Sequence, residues 1–289
     1  MKLRFATLSL LMGSGLVWAA PDLNDTFNSL KGAVEKKDAA AVKTLAPQAS
    51  KEAKTLLAAA DTAADVKEFA KGAEEYSEYA LSILAAQGGD DSATIALTDL
   101  LLEQNGKSRH VDTAAPAYLN ALGKQGAPKA AAGAQKIIAG RPENEDALYT
   151  LATGNPTYAA RLVTVMRTKA KPEGVGEADW QKKKDFMMGS GYYFSGINAA
   201  TRQAWADSDR DLKAAEPLLR GNSQMLNIAY FYLGVANYQI GKLTQDRTRI
   251  QAGLKYSQQS AAIAGPMQGQ ANTNVAAMSR ELGTGARAK

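Results

Sequence analysis

Two segments of thirteen residues in the second half of the chain repeat one another, and this repetition constrains the fold more than any other feature. Residues 185–197 read DFMMGSGYYFSGI, and residues 230–242 read YFYLGVANYQIGK, 45 positions later. Aromatic residues and glycines that recur at one spacing predict a structural unit used at least twice. The four identities at this offset are Phe186 with Phe231, Gly189 with Gly234, Tyr193 with Tyr238, and Gly196 with Gly241.

The remainder of the chain predicts helices separated by short turns. It is rich in Ala, Leu, Lys, Glu and Gln, which favour helix, and in EYALSILAAQ the apolar residues follow a three-four spacing. The predicted turns are Gly88-Gly89, Asn105-Gly106, Gln125-Gly126, Gly140-Arg141-Pro142, Gly154-Asn155-Pro156 and Lys171-Pro172. Each segment between turns is about one helix long, and short connections join antiparallel neighbours. The sequence therefore predicts an all-α solenoid of stacked antiparallel helical hairpins.

The repeated glycines are assigned two roles. Gly189 and Gly234 are expected to let a second helix approach closely, because glycine has no side chain at the contact. Gly196 and Gly241 are expected to end their helices in the left-handed conformation, which costs glycine little. The aromatic residues are expected to fill the space between hairpins.

This pattern resembles the tetratricopeptide repeat, in which an aromatic residue, Leu-Gly, a tyrosine and a glycine follow one another along the first helix. The residues that carry the resemblance in the second copy are Tyr230, Leu233, Gly234, Tyr238, Gly241, Ala252, Tyr256 and Pro266. The first copy offers Met188, Gly189, Tyr192, Gly196, Leu212, Ala215 and Pro217, and it lacks a large aromatic residue at Asp185. Both copies are about ten residues longer than the usual 34.

The resemblance implies a concave surface that is lined by the first helices and binds a protein or peptide. Alignment to the repeat places Lys183, Phe186, Ser190 and Tyr193 of the first copy there, with Ile228, Phe231, Val235 and Tyr238 of the second. Lys183, Ser190, Tyr193 and Tyr238 are expected to be exposed partner-binding residues. The alternatives are a glycan-handling enzyme, which would need two carboxylates facing each other, and a carrier with a closed apolar pocket for a small ligand.

The N-terminal segment has the pattern of a cleaved export signal. Lys2 and Arg4 precede an apolar run, and Val17 and Ala19 occupy the small-residue positions of a cleavage site. Cleavage after Ala19 predicts a periplasmic or secreted protein without a stable membrane segment. The expected organisation is a signal peptide at 1–19, an N-terminal helical region at 20–72, divergent hairpins at 73–171, and tetratricopeptide-like repeats with a terminal helix at 172–289.

Composition argues against several classes of chemistry. The chain has no cysteine, and its formal net charge of +5 falls by two once Lys2 and Arg4 are removed, so neither thiolate chemistry nor a polybasic nucleic-acid surface is expected. His110, the single histidine, is expected in a turn before a helix. The segment DSDRDLKAAEPL (207–218) departs from a calcium loop at Leu212 and Leu218, and is expected to be an acidic helix cap. We expect no enzyme activity, metal or cofactor.

Overall fold

The computed structural model describes residues 21–172 and 174–283, and all regular structure in these ranges is helical. The prediction of an all-α fold is confirmed. The α-helices are α1 (Pro21–Glu35), α2 (Ala39–Ala58), α3 (Ala64–Gln87), α4 (Asp91–Asn105), α5 (Val111–Lys124), α6 (Ala127–Gly140), α7 (Glu145–Ala152), α8 (Pro156–Thr168), α9 (Glu177–Thr201), α10 (Trp205–Ala215), α11 (Ser223–Thr244), α12 (Arg247–Ala262) and α13 (Gln268–Leu282). A short 3-10 helix, Glu216–Leu219, follows α10. The signal segment at 1–19 lies outside the described residues.

The helices begin and end where the turn residues predict. α3 ends before Gly88 and Gly89, whose φ angles are 66° and 95°, and Gly126 separates α5 from α6 with a φ of 122°. Two of these helices begin with a side-chain cap: Asp90 accepts hydrogen bonds from two backbone N–H groups of α4, and Asn155 accepts one from α8. Each predicted turn from Gly88 to Pro172 therefore lies at the junction of two helices.

The chain forms two compact units, Met1–Thr150 and Leu151–Lys289. In the first unit each helix from α1 to α6 packs against the next, and α1 also contacts α3, α2 contacts α4, and α3 contacts α5. Contacts between helices one and two places apart are those of stacked hairpins, as in an α-solenoid. The expected boundary at 72/73 falls inside α3 of this unit.

The second unit is built in the same way. α8 packs against α9, and each later helix packs against the next as far as α13. α9 also contacts α11, and α11 contacts α13. The core of this stack contains Tyr193 of α9, Leu212 of α10, Leu219 of the 3-10 helix, and Ala229 and Leu233 of α11. The expected boundary at 171/172 lies inside this unit, between α8 and α9.

The repeated glycines lie at helix contacts. A Cβ atom on Gly189 would lie 2.9 Å from Leu218 Cβ, and one on Gly234 would lie 3.1 Å from the backbone nitrogen of Ser257. Both positions accept a close neighbour as predicted, because a side chain there would overlap the next element of the hairpin.

The expectation that Gly196 and Gly241 end their helices is wrong. Gly196 lies inside α9, where a Cβ would be 2.6 Å from Leu212 Cγ, and Gly241 lies inside α11, where it would be 2.7 Å from Ile250 Cγ1. These glycines are needed for packing rather than for a left-handed turn. The left-handed residues are Gln203, just after α9, and Gln245, just after α11, with φ angles of 60° and 56°.

Candidate binding sites

Two of the four expected partner-binding residues are buried. The side chains of Ser190 and Tyr193 on α9 are 0% and 6% exposed. Tyr193 belongs to the core between α9, α10 and α11, so its ring is covered by the neighbouring helices. The expectation that Ser190 and Tyr193 are exposed is therefore wrong, because neighbouring helices pack over this part of α9.

The other two residues are partly accessible. Lys183 is half-buried near the start of α9. Tyr238 on α11 is also half-buried, and its hydroxyl donates a 2.7 Å hydrogen bond to Glu281 on α13. Lys242 donates to the other oxygen of the same carboxylate at 2.8 Å. The hydrogen bond to Glu281 joins α11 to α13, and it also raises the pKa of the Tyr238 hydroxyl.

A stripe of apolar side chains stays partly accessible on the repeated helices. Phe186 of α9 is 37% exposed, and Ile228, Phe231 and Val235 of α11 are partly exposed. The three α11 residues are spaced three and four positions apart, so they share one face of the helix. Phe186 and Phe231 occupy the same repeat position. We call these four residues the repeat stripe.

A buried polar cluster joins the helices of the second repeat. Asp209 of α10 accepts hydrogen bonds from Asn237 of α11 at 2.6 Å, from Lys213 at 2.8 Å and from Arg249 of α12 at 2.9 Å. Arg249 also donates to the side-chain oxygen of Asn237 at 2.9 Å. Burial raises the pKa of Asp209, but these donors outweigh burial and hold the pKa below its usual value. An ionised carboxylate whose oxygens are bonded in this way is suited to holding helices together rather than to transferring protons.

The acidic segment 207–218 is helical and not a loop. α10 runs from Trp205 to Ala215, so Asp207 lies in its first turn, where a carboxylate is favourable, while Asp209 and Asp211 face inward. Asp211 accepts a 2.6 Å hydrogen bond from Ser195 of α9. In the parts of the chain that the structure describes, no three His, Asp or Glu side chains are grouped as a metal site requires.

His110 occupies the turn before α5, as predicted. Its ring packs edge-on against Tyr79 at 5.8 Å, and its Nε2 is buried without a hydrogen-bond partner. Burial and the neighbouring Arg109 guanidinium lower its pKa, against the opposing charges of Glu78 and Glu75. The ring is therefore held neutral at pH 7.

Two asparagines that are fully buried in α11, Asn227 and Asn237, have structural roles that were not predicted from the sequence. Asn227 donates to the carbonyl oxygens of Ser260 and Ile263, at 2.9 and 3.1 Å, and accepts from the backbone N–H of Met267 at 3.0 Å. It thus bonds the end of α12 and the start of α13. A polar amide within an apolar helix face was the available indication of such a role.

The first unit also contains a groove that was not predicted from the sequence. It lies between α2 and α4, encloses about 710 Å³, and is open to solvent. This size is within the range of small-ligand sites. We call it the α2–α4 groove; it is lined by Pro47, Ser50, Lys51, Lys54, Thr55, Ala58, Leu100, Glu103 and Gln104.

No protein-family model, curated protein or solved structure matches this chain. The resemblance to the tetratricopeptide repeat stays a prediction from the repeated residues. Among the described helices, none has the length and apolar character needed to cross a membrane.

Proposed function

We propose that the chain is an exported, non-enzymatic scaffold that binds a protein or peptide on the repeat stripe of α9 and α11. The observation that carries this proposal is the exposure of Phe186, at 37%, on a repeated helix. Within the described residues, Phe186 and Leu243 are the exposed large apolar side chains. An aromatic side chain that is left in contact with water offers a large contact area to a partner at low entropic cost.

The neighbouring residues support a peptide as the ligand. Ile228, Phe231 and Val235 extend an apolar surface along one face of α11, and Phe231 packs edge-on against Tyr232 at 5.2 Å. An apolar surface of this kind fits the side chains of a bound segment, as in other helix-lined grooves. The tetratricopeptide resemblance assigns the same helix face to partner binding, and Lys183 lies one helical turn before Phe186.

Export is the second part of the proposal, and it rests on the pattern of residues 1–19. A positive start, an apolar run, and Val17 and Ala19 before the expected cleavage point support delivery to the periplasm or the exterior. The partner is then expected among proteins or peptides of that compartment.

The test is affinity capture from the native envelope fraction with wild-type protein and two variants. Phe186→Ser removes the exposed aromatic ring of the stripe, while Leu243→Ser removes an even more exposed apolar side chain, 76% accessible, at the end of α11. We expect Phe186→Ser to lose proteins that wild type and Leu243→Ser both retain. Equal capture by all three forms would contradict the proposal.

A further inference from the structure

The floor of the α2–α4 groove contains two polar groups that the fold leaves unsatisfied. Ser50 of α2 is 3% exposed, and its hydroxyl has no hydrogen-bond partner. Gln104 of α4 donates through Nε2 to Ser77 at 2.6 Å, but its buried Oε1 accepts no hydrogen bond. A buried polar atom without a partner costs stability, so both groups are better satisfied when a ligand bonds to them.

The Ser50 hydroxyl and the Gln104 amide oxygen differ in the hydrogen bonds that they can form with a ligand. The Ser50 hydroxyl both donates and accepts, and it can turn about one side-chain bond to face the groove. The Gln104 amide oxygen only accepts, so a ligand must bring an N–H or O–H group to it. Bound together, they fit one amide group with its N–H and C=O, which is the repeating unit of a peptide.

The rim of the groove carries two lysines, Lys51 and Lys54, and one glutamate, Glu103. Lys54 is already used, because it donates to the backbone carbonyl of Gln104 at 3.2 Å and lies 3.5 Å from Glu74. Lys51 is exposed and forms no ion pair with the described part of the chain. Its ammonium group is therefore able to bind an anion at the edge of a groove that is also lined by Glu103 and by the apolar residues Pro47, Ala58 and Leu100.

We propose that the α2–α4 groove binds a short peptide through its free C-terminal carboxylate. The carboxylate pairs with Lys51, the last amide bonds to Ser50 and Gln104, and an apolar final side chain packs against Pro47 and Leu100. The site lies on different helices from the repeat stripe, and its test does not depend on the function proposed for that stripe.

The experiment uses an equimolar mixture of tetrapeptides ending in leucine, made both with a free carboxylate and with a C-terminal amide. Retained peptides are separated from the full chain by size and counted by mass spectrometry. Wild type is expected to retain the free-carboxylate forms at least about tenfold over the amides, as loss of one charge-assisted hydrogen bond implies. Equal retention of both forms, or retention of neither, overturns the proposal. A parallel sample with dodecanoate tests a simple fatty acid, and its retention at the level of the peptides overturns the assignment of a peptide.

One matched pair of lysine variants and one serine variant place the ligand in the groove. Lys51→Gln removes the charge at the rim, and Lys43→Gln makes the same change at an exposed position of α2 that does not line the groove. Lys51→Gln is expected to reduce retention about tenfold, and Lys43→Gln to leave it unchanged. Ser50→Ala is expected to reduce retention about fivefold while the melting temperature stays at or above the wild-type value, because it removes an unsatisfied buried hydroxyl. Equal retention by the two lysine variants, or a lower melting temperature of Ser50→Ala, contradicts the assignment.

Discussion

Gly234 on α11 faces Gly253 on α12 across the contact between the two helices. A Cβ atom on Gly253 would lie 2.8 Å from the carbonyl oxygen of Gly234, and one on Gly234 would lie 3.2 Å from the carbonyl oxygen of Gly253. Each glycine is thus needed because the backbone of the other helix occupies the space of a side chain. The second repeat is held together by this close approach and, one turn away, by the buried hydrogen bonds of Asn237.

Substitution of Gly253 by alanine is expected to destabilise the protein, although alanine favours helix by about 1 kcal/mol over glycine. The added methyl group meets the backbone nitrogen of Tyr238 at 2.9 Å, so α11 and α12 must move apart. Gly234→Leu adds more volume at the same contact and is expected to cost about 1–3 kcal/mol or more. Denaturant unfolding measures both changes. The control is Gly72→Ala in α3, where nothing lies within 4 Å, and a gain in stability is expected there. Unfolding midpoints of Gly253→Ala at or above wild type would show that the contact is not close-packed.

The two repeat tyrosines are expected to respond differently to removal. Tyr193→Ala empties part of the core between α9, α10 and α11, and is expected to cost on the order of 3 kcal/mol or more. Tyr238→Ala removes a half-buried ring and its hydrogen bond to Glu281, and a much smaller loss is expected. Melting curves compare the two variants directly. Equal losses of stability, or a larger loss for Tyr238→Ala, would contradict the prediction and show that the contact between α11 and α13 contributes more to stability than expected.

The stability of the protein is expected to fall as the pH falls below about 6.5, because of His110. Burial lowers the pKa of this histidine in the folded state, so the unfolded chain binds more protons once the pH falls below about 6.5. Stability is therefore fully present above this pH, and it is lost as the pH falls towards the folded pKa. His110 is the single histidine of the chain, so any loss of stability caused by protonation of a histidine can be assigned to it.

The measurement is the melting temperature at several pH values for wild type and His110→Gln. Glutamine at position 110 does not titrate, so the melting temperature of the variant is expected to change less with pH than that of wild type. The carboxylates, including Glu75 and Glu78 near the histidine, are common to both proteins and act as an internal control. Parallel curves for the two proteins would mean that His110 does not cause the loss.

Export predicts that the mature protein begins at Ala20. Mass spectrometry of the protein from its native source is expected to find this residue at the N-terminus, since Val17 and Ala19 supply the two small side chains before the cleaved bond. An intact Met1 on a cytoplasmic product would contradict the export proposal. Val17→Glu places a charge at the cleavage site and is expected to leave the precursor uncut.

The helices and turns could be predicted from the sequence because local residues determine them. The three-four spacing of apolar residues and the glycine-rich turns depend only on near neighbours, and so does the general pattern of stacked hairpins. The role of Gly241 could not be predicted in this way. A glycine suits both a left-handed helix end and a close helix contact, and the position of Ile250 on the next helix decides between them.

The sequence also could not predict which side chains of the repeated helices are exposed to solvent. Ser190 is buried, whereas Phe186, one turn earlier on α9, stays accessible. Alignment to the repeat placed both residues on the same helix face, so their spacing could not distinguish them. The α2–α4 groove depends in the same way on helices that are some fifty residues apart, and no motif in either helix indicated it.

The central claim is that the repeat stripe contacts a partner protein or peptide, and site-specific photocrosslinking tests it most directly. A photoreactive phenylalanine analogue is placed at Phe186 or, as a control, at Leu243, in cells that naturally produce the protein. Both side chains are exposed, so both probes reach their surroundings. The account predicts a discrete crosslinked species from position 186 that is absent from position 243. The absence of a crosslinked species from position 186, or the same species from both positions, would contradict it.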